Sequence, residues 1–161
     1  MLHPSVIGSD GPTFPYVTTV LEGAEITYFP PVRWALSGGR FIPPGKTEAD
    51  AYVEAVPIQG PAPWTPERAK AAHEAVLARI VPKGATNAAV VSEGATSFRI
   101  AGQCGYEICF SYAYYGQEYG GSVIFVEHGK TQLQFHLGCL KRDFDTLRGA
   151  LNGSLFTLRG L

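Results

Sequence analysis

Thr131-Gln132-Leu133-Gln134-Phe135-His136-Leu137-Gly138, followed after a short link by Lys141-Arg142-Asp143-Phe144-Asp145-Thr146-Leu147-Arg148-Gly149-Ala150-Leu151, is the stretch that decides the architecture of this chain. Its first half alternates apolar and polar residues with a period of two, the signature of a half-buried strand. Its second half sets Phe144, Leu147 and Leu151 on one face of a short amphipathic helix. A strand handing its apolar face to such a helix predicts a helix packed on a sheet.

Outward from there the pattern continues. Gly129-Lys130 forms a turn back into a strand over residues 122–128, Gly120-Gly121 marks the approach to it, and strands over 107–114 and 96–100 precede it. The best helix spans 64–82. Thr65 is its N-cap, Pro66 takes the favoured first position and Glu67 meets the helix dipole. Ala69, Ala72, Val76 and Ile80 form its apolar stripe, with His73 and Leu77 at the edge. Farther upstream, Glu25-Ile26-Thr27-Tyr28-Phe29 suits a strand stopped by Pro30-Pro31, since neither proline can donate to a ladder. Val32-Arg33-Trp34-Ala35-Leu36 alternates again, with Val32, Trp34 and Leu36 to one side, before the Gly38-Gly39 turn. A strand fits 51–58, with Pro57 confining its end to a sheet edge. Residues 1–22 read as loop, punctuated by Pro4, Gly8, Gly11, Pro12 and Pro15. At the other end Asn152-Gly153 caps the last helix, and residues 154–158 form a last strand or an extra helical turn. The expected division is an irregular extension over 1–23 and a single α+β domain over 24–161.

Composition narrows the function classes. A chain of 161 residues that is 45% hydrophobic builds a core without staples. A net charge of −1 and the lack of any long Lys/Arg run argue against nucleic-acid binding. No stretch reaches the ~20 apolar residues of a membrane span, and the first ten residues have no signal-peptide pattern. Met1 opens either a native cytoplasmic chain or one whose export signal lay upstream, in which case the compartment is periplasmic or otherwise extracytoplasmic. Cys104, Cys109 and Cys139 lack zinc-site spacing, so three buried thiols are expected, with one bridge and one free thiol as the alternative.

Two groups of residues have a familiar look. Ile26-Thr27-Tyr28-Phe29-Pro30 with Trp34 is a strand entering a proline and then a tryptophan. Leu133-Gln134-Phe135-His136-Leu137, then Asp143-Phe144-Asp145-Thr146-Leu147 and Ser154-Leu155-Phe156, is a closing strand with its docking helix. In this order the chain resembles the PsbP-like superfamily, which includes the lumenal extrinsic subunit of the oxygen-evolving photosystem, a Ran-binding nuclear import factor and many bacterial proteins of unknown role. The resemblance covers most of residues 24–160. It implies an antiparallel sheet flanked by helices on both sides, an α/β/α sandwich, in general without enzymatic activity. Some bacterial relatives look like chaperones for secreted effectors and others like envelope lipoproteins.

Strand parity supplies a candidate site. In 107–114, Ile108, Phe110, Tyr112 and Tyr114 point one way and Glu107, Cys109, Ser111 and Ala113 the other. In 131–138, Leu133, Phe135 and Leu137 oppose Gln132, Gln134 and His136. With both apolar sets on one core, the second face gathers Glu107, Cys109, Ser111, Gln132, Gln134 and His136. That polar face lines a groove for a ligand or peptide, or else is a solvated or helix-covered face. Cys109 and His136 invite a nucleophile–base reading, but an intervening strand separates them by about 9.5 Å, against the ~3–4 Å a working pair needs. Glu127 and His128 point to opposite faces and cannot chelate together, so no metal or other cofactor is expected. Five tyrosines crowd the region, and Tyr115 and Tyr119 flank Gly116-Gln117-Glu118 in a loop suited to an interface. The candidate binding residues are therefore Glu107, Ser111, Tyr115, Tyr119, Gln132, Gln134 and His136, with none assigned to catalysis. The leading expectation is a non-catalytic protein- or peptide-binding or scaffold module, such as an envelope accessory or secretion-related chaperone. The alternative is a small hydrolase-like enzyme with its site on the same polar face.

Overall fold

The computed structural model describes residues 3–7, 14–21 and 24–160, with side chains from Ile26 onward. Strands β1 (His3–Ile7), β2 (Phe14–Leu21) and β3 (Ala24–Tyr28) form a three-stranded antiparallel sheet in chain order. This corrects the loop-like reading at 3–7 and 14–21, while the rest of that reading, at 1–2, 8–13 and 22, lies outside the described residues. Its prolines sit where a strand tolerates them: Pro4 lies on edge strand β1, and Pro15 pairs with Val6 on one side, beyond the Val17–Leu21 stretch that pairs with β3.

The main sheet is seven-stranded, antiparallel and ordered β4-β5-β6-β10-β9-β8-β7. Its strands are β4 (Ala35–Ser37), β5 (Arg40–Ile42), β6 (Asp50–Pro57), β7 (Thr86–Ile100), β8 (Gln103–Tyr114), β9 (Gln117–His128) and β10 (Thr131–Leu140). Helix α1 (Pro66–Ile80) covers one face of this sheet and α2 (Phe144–Ser154) the other. The expected strands over 96–100, 107–114, 122–128 and 131–138 are all present and longer than read. Pro57 pairs with Thr131 at the end of β6, past the single Phe41–Ala51 pair made by β5, so its missing N–H faces an open edge as expected.

Each helix forms where its sequence signals stood. Thr65 Oγ1 accepts a hydrogen bond from the Arg68 N–H (3.2 Å), and Ala69 and Val76 are buried on the apolar stripe of α1. That stripe packs on Ile108, Phe110, Val123 and Phe125. On the other face, Leu147 and Leu151 of α2, with Phe144 beside them, cover Leu133, Phe135 and Leu137 as the opening stretch demanded. Here the same core takes in Ile26 and Tyr28 of β3, Trp34 and Phe41. The helix runs through Asn152-Gly153 to Ser154 rather than being capped there, and a 3-10 turn at Leu155–Thr157 follows. A bridge between Thr27 and Arg159 then ties the C-terminal segment to β3.

The expectation for residues 32–36 also fails. Val32 and Trp34 do not share a side: Val32 is 77% exposed and Trp34 only 5%. Two consecutive prolines stop the strand ladder, and the chain turns instead, with Trp34 N–H bonded to the Pro31 carbonyl (3.1 Å) and Arg33 in the left-handed region (φ 70°).

Candidate functional site

Register decides what the seven predicted residues can do together. Ile108 pairs with Val123, and Val123 pairs with His136, so these three share a face. Glu107 pairs with Ile124, which pairs with Phe135, and these share the other face. The apolar sets of β8 and β10 therefore lie on opposite sides of the sheet, each under its own helix. Glu107 and Ser111 sit on the α2 side, whereas Gln132, Gln134 and His136 sit on the α1 side, which corrects the single polar face. Cys109 and His136 are parted by the sheet itself. Burial pushes the Cys109 thiol up, with a Ser92 hydrogen bond opposing, the reverse of nucleophile activation. Cys104 is exposed while Cys109 and Cys139 are buried, and all three are free, so the expectation of three buried thiols fails at Cys104.

On the α1 side a polar chain runs along β10. Gln134 Nε2 donates to Gln132 Oε1 (2.7 Å), and Gln132 Nε2 donates to Glu127 Oε1 (2.9 Å). Glu127 also accepts from the Ala62 N–H (3.1 Å) and pairs with Arg68. At its far end His136, 4% exposed, lies flat on the Tyr52 ring (4.3 Å between centroids). Its Nε2 is 3.2 Å from Glu54 Oε2, but neither ring nitrogen has a hydrogen bond in proper geometry. Burial lowers the imidazole to about 4, while the Glu54 carboxylate works the other way. Glu54 is itself paired with Arg79 of α1. These side chains are mutually committed and act as a packed polar seam. Sequence reading missed Tyr52, Glu54 and Arg79; alternation in β6, once paired with β10, would have placed Tyr52 and Glu54 beside His136 and Gln134.

Tyr115 and Tyr119 do not flank a loop. Tyr115 (φ 48°) and Gly116 (φ 73°) make a two-residue hairpin turn between paired Tyr114 and Gln117, and Tyr119 lies within β9. Tyr119 stacks on Tyr112 (5.2 Å), and Tyr115 is 88% exposed at the sheet's end.

Two open volumes flank α2. With Leu147 and Leu151 turned to the sheet, Ala150, Gly153 and Ser154 face one side and Arg148 and Asn152 the other. The first side, with the loop between β3 and β4, forms an apolar cleft of about 800 Å³ whose walls include Phe29, Pro30, Val32 and Trp34. Its hydroxyls are already used. Thr157 Oγ1 accepts from the Phe29 N–H (3.0 Å) and donates to the Ser154 carbonyl (2.7 Å), and Ser154 Oγ bonds the Tyr28 hydroxyl and the Leu151 carbonyl. Arg33 is the charged residue of the cleft; it is exposed and has no hydrogen-bond or ion-pair partner among the described residues. The second side is a polar cavity of about 450 Å³ between α2 and β7. There Arg148 grips the buried Glu107 carboxylate through Nε (2.8 Å) and Nη2 (2.5 Å), and that bidentate bond pushes the guanidinium further up. Glu107 is thus the predicted residue that reaches an open cavity. Among the described residues no group of three His, Cys, Asp or Glu could hold a metal ion, and no helix is long and apolar enough to cross a membrane.

An antiparallel seven-stranded sheet with one helix on each face, closed by a C-terminal helix beside the strand–proline–tryptophan segment, is the PsbP-like α+β fold. The chain is similar over 99% of its length to the solution structure of cyanobacterial PsbP (CyanoP) from Synechocystis sp. PCC 6803, with 14% identity, a TM-score of 0.52 and 92% of that chain covered. It is equally similar to PA94 of Pseudomonas aeruginosa, a protein of unknown function and putative regulator, with 14% identity, a TM-score of 0.52 and 98% of that chain covered. LpqN of Mycobacterium tuberculosis, involved in cell envelope biogenesis, matches with 13% identity and a TM-score of 0.48 over 98% of this chain and 90% of its own. The likeness is one of fold. No protein-family model and no curated protein matches the chain.

Proposed function

We propose that the protein is a non-catalytic recognition module that seats apolar side chains of a protein or peptide partner in the cleft between the 29–34 loop and α2. The observation that carries this reading is the cleft itself, about 800 Å³ with mainly apolar walls, beside an exposed Val32. A monomer seldom leaves such a surface open without a binding use. Chemistry supports binding over catalysis, since the hydroxyls of Ser154 and Thr157 are consumed internally and no carboxylate or histidine lines the cleft among the described residues. Arg33 adds direction. A left-handed backbone at a non-glycine residue stores strain that sites retain for a purpose, and a cation at the rim with no partner among the described residues selects a partner with an acidic residue next to its apolar ones.

A random-peptide display screen tests this reading. Enriched peptides should pair a large apolar residue with Asp or Glu. Ala150→Glu, at an exposed helix position that leaves folding intact, should abolish their binding. Arg33→Asn, which suits the left-handed backbone, should weaken it about tenfold through loss of one charged contact. Peptides whose binding ignores Ala150→Glu would refute the assignment of the cleft.

A further inference from the structure

We propose that the polar cavity on the other side of α2 is a binding site for a small, uncharged, cyclic polyol. It shares no lining residue with the apolar cleft, so it stands or falls apart from the protein-binding reading. The cavity exists because β7 leaves register with β8 between Ala95 and Arg99. Gly94 (φ 151°), a conformation that side chains avoid, brings the strand into that bulge with open space around it. Bulges of this kind re-aim side chains, and this one sets Ser97 and Phe98 in the cavity wall.

The chemistry of the wall defines the ligand. Arg148 spends Nε and Nη2 on Glu107, and its Nη1 has no partner among the described residues. Asn152, one helical turn on, also lines the cavity, and its side-chain oxygen is buried with no hydrogen-bond partner among the described residues. A buried amide oxygen without a partner calls for an explanation, and a hydroxyl donor seated in this cavity would supply one. Glu107, 7% exposed, keeps acceptor lone pairs beyond those that Arg148 occupies. Glu93 also lines the cavity, but it pairs with Ile108 and turns its carboxylate to His73 and the Tyr106 hydroxyl on the α1 side. The side chains that face the site thus offer donors and an acceptor at near-zero net charge. A carboxylate ligand would meet Glu107, and an ammonium would meet Arg148. Hydroxyl groups, which donate and accept at once, answer both sides. Phe98, half-buried and anchored on the core, supplies an apolar wall for the C–H face of a ring. The volume of about 450 Å³ lies in the range of small-molecule sites.

Backbone amide NMR of the full chain, titrated with myo-inositol and D-glucose to tens of millimolar, tests the assignment. At least one polyol should shift the amides of residues 92–98, 107, 148 and 152 saturably, while sodium acetate and ethylammonium should not. Asn152→Leu should weaken that response about tenfold, the worth of one or two hydrogen bonds, with the remaining spectrum unchanged. Should that variant fail to fold, Ser97→Trp, at an exposed strand position, should block the cavity mouth with the same result. Silence with both polyols, shifts centred elsewhere, an equal response to acetate, or insensitivity to the blocking variants overturns the proposal.

Discussion

Protonating His136 means placing a cation under the Tyr52 ring, out of water, with Glu54 nearby and the charges of Arg79 and Arg40 opposing. Desolvation wins over the carboxylate, so the folded imidazole stays neutral down to about 4, against an ordinary value of 6.5. Between those two values the unfolded chain binds a proton that the folded chain does not. Stability therefore falls as pH drops through that window and levels off below about 4. The loss from this one group is on the order of 3 kcal/mol, a large share of a typical domain's 5–15 kcal/mol, roughly. Chemical denaturation across the window should show it. His136→Phe keeps a flat ring on Tyr52 but removes the titration, so its stability should depend on pH less steeply than wild type. Parallel curves would mean that His136 takes up its proton in the folded state as easily as in the unfolded one.

Among the elements, the β8–β9 hairpin shows most clearly what a sequence displays and what it conceals. Two-residue turns of this hand favour Asn and Gly, because both central residues adopt positive φ. Here the first is Tyr115, whose left-handed backbone costs about 1 kcal/mol. Tyr115→Asn should recover much of that and raise the melting temperature, checked by thermal unfolding. If the exposed ring serves a partner, the same change should weaken display-selected binders that contact the hairpin. The misfit residue also hid the turn. Gly129-Lys130 was legible as a turn, and β10, α1 and α2 were legible from their periodicity. With Tyr115 in place of Asn, the first turn read as a loop reaching Tyr119, so the register between β8 and β9 was lost. The middle strand could not restore it. Val123 and Phe125 pack under α1 while Ile124 and Val126 pack under α2, and a strand apolar on both faces carries no phase. Parity was right within β8 and within β10, yet wrong between them. The first ten residues of β7 escaped notice for another reason. They form a largely exposed, bulged edge in which adjacent Val90 and Val91 stand among Asn, Ala, Ser, Glu and the Gly at position 94, so no apolar–polar alternation marks a strand.

At the scale of the whole molecule, α2 is at once the lid of one core and the ridge between two cavities. Neither cavity could be read from periodicity, because each joins residues far apart in the chain: Phe29–Trp34 with 150–157, and 92–98 with Arg148 and Asn152. What was legible was that Glu107 is polar in an apolar strand; its partner Arg148 needed the fold. The two cores share a single sheet, α1 on Val123 and Phe125, α2 on Ile124 and Phe135. Removing either helix leaves one face of the same strands in water, so the halves should unfold together. The cysteines report on this without any mutation. Cys104 is exposed and should react with a thiol-specific disulfide reagent at once. Cys139 is buried in the α2-side core, with its thiol pushed up to about 12 by burial, and Cys109 is buried near the Glu107–Arg148 pair with its thiol also raised. Neither presents an accessible thiolate while the fold is closed. With rising denaturant, both should become reactive at one midpoint, matching the loss of secondary structure. Labelling of Cys109 well before Cys139 would mean that the β7–β8 edge opens on its own while the α2 core stays closed, and the chain would then be two cooperative units on one sheet.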